Sequence, residues 1–284
     1  MLFTRCNSLN LKAIIIAIVV VTIIGVCVFI SVSGEDRTES ISIQGSTTVS
    51  PYMLKVQEVY EPENDVCLYI TSNGSGTGAA AAINGSADIA MLSRDLKSSE
   101  TEAGLVQTVI GIDGIMVIVN DDAGIADITA AQLARIYSGE ITNWSELGGN
   151  DLGISVISRE EGSGTRDGFE SILRKAYPDY AITSSTITQA STSAVLSTVN
   201  NTTGAIGYVS LGYADKVGSS TTVLSLEGVE PTVKNVQDGT YAMQRNIILA
   251  TMGEPSGAAK NLIDWILGEE GQDLLQECGF IRGV

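Results

Sequence analysis

One unit recurs along this chain and restricts the fold more than any other feature: a short apolar run, a loop of glycine, serine and threonine, then a helix-like segment. Residues 41–43 lead into 45–50 (GSTTVS) and a helical stretch from about 51 to 60. Residues 66–70 (VCLYI) lead into 72–78 (SNGSGTG) and an alanine-rich helix ending near 83, and 87–91 (ADIAM) form the next apolar run. Residues 154–158 (ISVIS) pass through the loop 159–165 into a helix over about 166–176. Further strands are predicted at 106–110, 115–119 and 205–209, with 247–250 apolar. Helices are predicted after the Thr129/Gln132 capping box and over 191–199, 258–267 and 270–276. Strands that alternate with helices predict an α/β fold with a largely parallel sheet, because parallel neighbours need a crossover between them.

In such folds ligands bind beyond the carboxyl ends of the strands, where helix N-termini converge. A helix N-terminus leaves several backbone N–H groups unpaired and carries a partial positive charge. Glycine lets that backbone come close to a ligand, while serine and threonine add hydroxyl donors. The tetrapeptide GSGT stands at 74–77 and again at 162–165, in two of three loops of this kind. Three sets of neutral donors aimed at one point suit a tetrahedral oxyanion. Arg159 and Arg94 each follow a predicted strand and can clasp such an anion through paired N–H groups. Glu161, two residues beyond Arg159, is placed to orient its guanidinium, while Asp113 and Asp167 are supports or caps.

Several chemistries are excluded by what is missing. The chain has no histidine, which removes Ser-His-Asp and Cys-His catalysis and His-bearing zinc sites. None of the three loops holds the lysine of a P-loop, and neither GxSxG nor GxGxxG occurs. No catalytic base, metal-ligand cluster or cofactor signature is visible, so binding without catalysis, metal or cofactor is the expectation. With 33 acidic against 16 basic residues, a net charge of −17, nucleic acid is not an expected partner.

The first forty residues form a separate unit. Arg5 and Lys12 precede an uncharged run at 13–30, AIIIAIVVVTIIGVCVFI, and the next charge is Glu35. This is the pattern of an export signal, yet the run is also about long enough to span a bilayer; signal peptide and uncleaved membrane anchor both remain open. Either way the chain beyond it is expected outside the cytoplasm. Cys27 follows Val26 rather than a small residue, so no lipoprotein signature is present. Cys67 and Cys278, the two cysteines of the folded part, either pair or stay as separately buried thiols.

Taken together, GSTTVSP, SNGSGTGAAAAINGSADIAMLSRDL, VIGIDGIMVIVN, GEITNWSELGG and SREEGSGTRDGFESIL resemble the phosphate-binding proteins of Pst-type ABC transporters, in that family's order. The resemblance implies a two-domain, Venus-flytrap (type II periplasmic-binding-protein) α/β fold behind the apolar leader. One lobe would comprise 41–119 with 237–284 and the other 120–236, with inorganic phosphate caught between them for delivery to permease subunits. Position by position it places Ser46, Thr47 and Thr48, then Ser75, then Arg159, Ser163, Gly164 and Thr165 on the anion, with Glu161 behind Arg159. Family members often carry an aspartate after the third strand to accept the proton of bound phosphate; Ser93 stands there, followed by Arg94 and Asp95. Asp95 or Asp113 supplies that acceptor, or Arg94 alters the balance of the site. A receptor for sulfate, molybdate or tungstate is the nearest alternative, and a phosphatase-like enzyme a remote one.

Overall fold

The computed structural model describes residues 39–283. The run at 13–30, and with it the expectation of a signal or anchor helix, lies outside the described residues. Among those described, no helix is long and apolar enough to cross a membrane.

The chain begins as the repeating unit predicts. Strand β1 (Glu39–Gly45) is followed by helix α1 (Ser50–Asn64), β2 (Val66–Ser72), α2 (Ser75–Ile83) and β3 (Ile89–Leu92). Both β2 and β3 pair with β1 in parallel. Ile41 and Ile43 of β1 are buried while their neighbours are not, the period of two expected of a strand with one covered face. After the short α3 (Ser98–Glu102) comes β4 (Leu105–Asn120), then β5 (Asp127–Ile128) and α4 (Ala130–Tyr137). Thr129 and Gln132 close the capping box of α4 as their spacing predicts. Next are β6 (Ser155–Arg159), α5 (Gly164–Ala176), β7 (Ile187–Gln189), α6 (Thr192–Asn201) and β8 (Ala205–Ser210). Strands β9 (Thr221–Val223) and β10 (Ser225–Leu226), helix α7 (Val233–Gln237), β11 (Gln244–Met252), helices α8 (Gly257–Leu267) and α9 (Glu269–Glu277), and β12 (Ile281–Arg282) complete the chain.

Two expectations need correction. The sequence predicts two strands at 106–110 and 115–119, whereas β4 runs unbroken across both. The glycines between them read as a break, but they are needed for packing. A Cβ at Gly111 would stand 2.6 Å from Leu275 Cδ2, and one at Gly114 2.8 Å from Val236 Cγ2. The sheet is also mixed rather than largely parallel. Its order is β2-β1-β3-β11-β4-β8-β6-β7, with β11 antiparallel to β3 and β4, and β4 antiparallel to β8. Parallel pairing holds on the flanks, where helices cross over; the centre is antiparallel because β4 carries the chain out and β11 brings it back.

This long strand serves two large cores and, through Leu105, a small third cluster with Ala79, Leu92 and Ile248. Its first half joins a cluster containing Ile43, Tyr52, Leu68, Ile110, Ile247 and Leu262. Its second half, from Ile115 on, joins another built around Trp144, Phe169, Tyr208 and Tyr241. Cys67 on β2 and Cys278 after α9 are not joined by a disulfide.

The close approach of α2 to β1 sets the position of the loop between them. A Cβ on Gly78 would stand 2.3 Å from Gln44 O and 2.6 Å from Gly45 Cα, both backbone atoms. Gly78→Ala is therefore expected to push α2 off the sheet and cost about 1–3 kcal/mol, the usual range for overpacking. Urea unfolding measures it; an unchanged midpoint would contradict this packing.

Candidate anion-binding site

The three loops converge. Ser46, at the end of β1, donates from its backbone N–H to Met91 O at 2.8 Å and from its hydroxyl to Ser93 Oγ at 2.9 Å. Ser75, the first residue of α2, has its Oγ 3.4 Å from Ser93 Oγ and accepts the Ser93 N–H at 3.2 Å. Thr48 Oγ1 lies 3.2 Å from Thr165 Oγ1 and 3.3 Å from Thr192 Oγ1. All of these side chains are almost wholly buried. The third loop closes on the second through backbone: Gly76 N–H donates to Gly162 O at 2.9 Å. Gly164 fits only because it lacks a side chain, since a Cβ there would stand 2.4 Å from Ser75 Oγ and 2.6 Å from Ser93 Oγ.

Helices α1, α2 and α5 all start at this cluster, so backbone donors and the positive ends of three helices face it together. Ser163 caps α5, accepting the Arg166 N–H on its hydroxyl. The hydroxyls pair with one another, and each can turn its proton toward an oxyanion. That provides binding without net positive charge, as the acidic composition requires.

Arg159 lies beneath the cluster and is 1 % exposed. Its Nε and Nη2 donate to the two carboxylate oxygens of Glu160, each at 2.8 Å, and Nε reaches Gln189 O at 3.2 Å. The rest of the fork faces hydroxyls: Nη2 donates to Thr47 Oγ1 at 3.0 Å and Nη1 to Thr192 Oγ1 at 3.3 Å. The Tyr208 phenol accepts the backbone N–H of Arg159 and pairs with Ser158 Oγ. Burial pushes this phenol up to about 12, so it keeps its proton and is available as a donor to Ser158. Tyr208 is itself stacked on Phe169, with ring centroids 4.0 Å apart.

The structure thus brings together Ser46, Thr47, Thr48, Ser75, Ser93, Arg159, Ser163, Gly164 and Thr165. Other expectations are corrected. The carboxylate on Arg159 is Glu160, while Glu161 is exposed at the loop surface. Only the residue next to Arg159 has the reach, because the chain turns away at Gly162, whose φ is +85°. Arg94 does not present a free fork. Glu100 takes Nη1 and Nη2 at 2.8 and 2.7 Å, and Asp167 lies 2.9 Å from Nε. Lys97 adds a 3.0 Å contact to Asp167, so this group links the start of α5 to the segment after β3. Asp113 supports a different arginine, Arg245, at 2.6 Å. Asp95 is exposed and accepts from the Asn246 side chain at 2.8 Å. Each carboxylate expected near the anion is therefore engaged elsewhere, and the acceptors inside the cluster are hydroxyl oxygens.

Sequence reasoning missed Glu160, Thr192, Tyr208 and Arg245. Thr192 had a signal, since Ser191 opens a predicted helix and such starts are where the other donors were found. Tyr208 and Arg245 arrive through tertiary pairing, while Glu160 is adjacent to Arg159 and was passed over for its neighbour.

The choice between the two adjacent glutamates can be tested. Glu160→Gln removes the charge that fixes Arg159 and is expected to weaken oxyanion binding at least tenfold, a loss of about 1.5 kcal/mol or more. Glu161→Gln is expected to leave the affinity within twofold. Calorimetric titration of both variants decides, and the reverse order of effects would restore Glu161 as the buttress.

Comparison with known proteins finds relatives over most of the chain. The model of the PBP superfamily domain matches residues 31–270. The phosphate-binding protein PstS of Bacillus subtilis is 35 % identical over 260 residues, covering 88 % of this chain and 83 % of its own. The PstS of Borreliella burgdorferi is 29 % identical, covering 93 % of this chain and 97 % of its own. Among solved structures, a putative phosphate ABC transporter substrate-binding protein from Clostridium perfringens, determined with bound phosphate, superposes with a TM-score of 0.80 at 38 % identity, covering 86 % of this chain and all of the other. An ABC-type phosphate transport receptor from Vibrio cholerae gives 0.72 at 32 %, covering 85 % of this chain and 99 % of its own. With this fold, the loop motifs in order and these similarities over most of its length, the chain belongs to the PstS family of phosphate-binding proteins within the PBP superfamily.

Proposed function

We propose that this protein is an extracytoplasmic, non-catalytic receptor that captures inorganic phosphate between two lobes and delivers it to the permease subunits of an ABC transporter. The observation that carries the reading is the meeting of the first and third loops, with Arg159 Nη2 at 3.0 Å from Thr47 Oγ1 and Thr48 Oγ1 at 3.2 Å from Thr165 Oγ1. Two segments far apart in sequence thus offer a buried cation and hydroxyl donors to one point. Ser46, Thr47, Thr48, Ser75 and Ser93 would hold the anion from one side, and Arg159, Ser163, Gly164 and Thr165 from the other. Hydrogen bonds to a charged group contribute about 1.5–3 kcal/mol each, so about three to six of them reach micromolar binding.

The proposed lobes follow the two hydrophobic cores. Those clusters favour boundaries at Gly114 and Gln244, the facing pair on β4 and β11, over breaks near 119 and 237. Closure of the lobes around the anion would be what the transporter reads. The apolar run at 13–30 would direct export and, if uncleaved, tether the receptor to the membrane from which its cargo enters.

Ser93, in place of a carboxylate, supports keeping a second reading in view: a receptor for another tetrahedral oxyanion. Phosphate near neutral pH has a proton to donate and sulfate has none, and a hydroxyl acceptor distinguishes them less sharply than a carboxylate does. Competition calorimetry separates the readings. Phosphate is expected to bind more tightly than sulfate, molybdate or tungstate, and sulfate binding as tightly as phosphate would overturn the assignment. Arg159→Ala is expected to raise the phosphate Kd at least tenfold with cooperative unfolding retained. An unchanged Kd would remove Arg159 from the site.

A further inference from the structure

A second buried arginine lies close to the hydroxyl cluster. Arg245 and Asp113 face each other across the antiparallel ladder of β11 and β4, the two strands that connect the cores. Arg245 Nε and Nη2 both donate to Asp113 Oδ2, at 3.0 and 2.6 Å, and Ser210 Oγ donates to Asp113 Oδ1 at 2.7 Å. Asp113 is fully buried and Arg245 is 7 % exposed. Burial pushes the Asp113 carboxyl up and the Arg245 guanidinium down, each away from its charged form. Their contact opposes both trends, and because a guanidinium keeps its proton the pair stays ionic.

Asp113 leaves part of the guanidinium unused. Arg245 Nη1 is buried and has no hydrogen-bond partner in the described structure. A buried donor without an acceptor is costly, and where it persists it needs a reason. Its location supplies one. Nη2 of the same guanidinium stands 3.5 Å from Thr48 Oγ1, the hydroxyl that contacts both Thr165 and Thr192. Arg159 lies near enough to act on Arg245 as a like charge, a repulsion that an anion beside both would relieve.

We infer that Arg245, held by Asp113 and Ser210, is a second guanidinium ligand of the anion, contributed by the crossing strands rather than by the loops. The inference rests on the phosphate reading above and extends it. The anion would then touch the connection between the two cores as well as the loops of each. Asp113 serves as a positioning residue for Arg245, and Ser210 in turn fixes Asp113.

The test uses inorganic phosphate and the full chain. Asp113→Asn/Arg245→Gln removes one charge of each sign, so the net charge is unchanged and no buried charge is left alone. Calorimetry is expected to give a phosphate Kd raised roughly tenfold or more, with a melting transition like that of the unaltered protein. A rise below tenfold would overturn the inference and leave the pair a structural one. If the double variant does not fold, Arg245→Lys takes its place, because an ammonium can keep the Asp113 contact but has no fork to share with the anion. A lysine variant with unaltered affinity would also overturn it. Absence of phosphate binding by the unaltered protein would instead bring down the phosphate reading itself, and this inference with it.

Discussion

The site depends on the burial of one cation. Arg159 is almost completely withdrawn from water, a position that would cost several kcal/mol for an unpaired guanidinium. Glu160 makes it tenable by taking one edge of the fork through two 2.8 Å bonds, which leaves the other edge toward Thr47 and Thr192. The arginine is thereby fixed in direction and its charge is balanced within the protein. The three loops around it add neutral donors, hydroxyls and backbone N–H groups. A chain carrying 33 acids against 16 bases has an unfavourable long-range field for anions, so capture must rely on dipoles that act at contact distance.

Contact-distance binding requires the donors to arrive together, and the central strands make that possible. β4 contributes to both cores, and β11 returns beside it in antiparallel register. Loops rooted in different cores can then meet over a short span, as Gly76 meets Gly162. The glycines at these points have a steric role. Gly164 leaves the space into which Ser75 and Ser93 project, and Gly78 lets α2 start close to the end of β1.

Around the cluster, acid and base cancel in pairs: Arg159 with Glu160, Arg245 with Asp113, and Arg94 with Glu100 and Asp167. These pairs fix the direction of each guanidinium, and hydroxyls from the loops complete the surround. A hydroxyl both donates and accepts, so it can serve an oxygen that is bare or one that carries a proton.

Much was legible in the sequence because it is local. Strand, glycine–hydroxyl loop and helix are set by short-range patterning, and helix N-termini follow from capping residues such as Thr129 and Ser191. The donor loops and Arg159 could therefore be located before any contact was known, and the order of the motifs pointed to the family. Pairing between distant residues was not legible. Glu160 and Glu161 are equivalent by composition, and only the turn at Gly162 decides which one meets Arg159. Arg94 and Arg245 likewise look alike as single arginines; their different surroundings come from Glu100 and Asp167 in one case and from the β4–β11 register in the other. The sequence by itself determined the α/β class, the anion-suited loops and the absence of histidine chemistry. The tertiary structure alone decided which charges are spent on each other and which remain for the anion, because a charge's role depends on neighbours that folding brings from far along the chain.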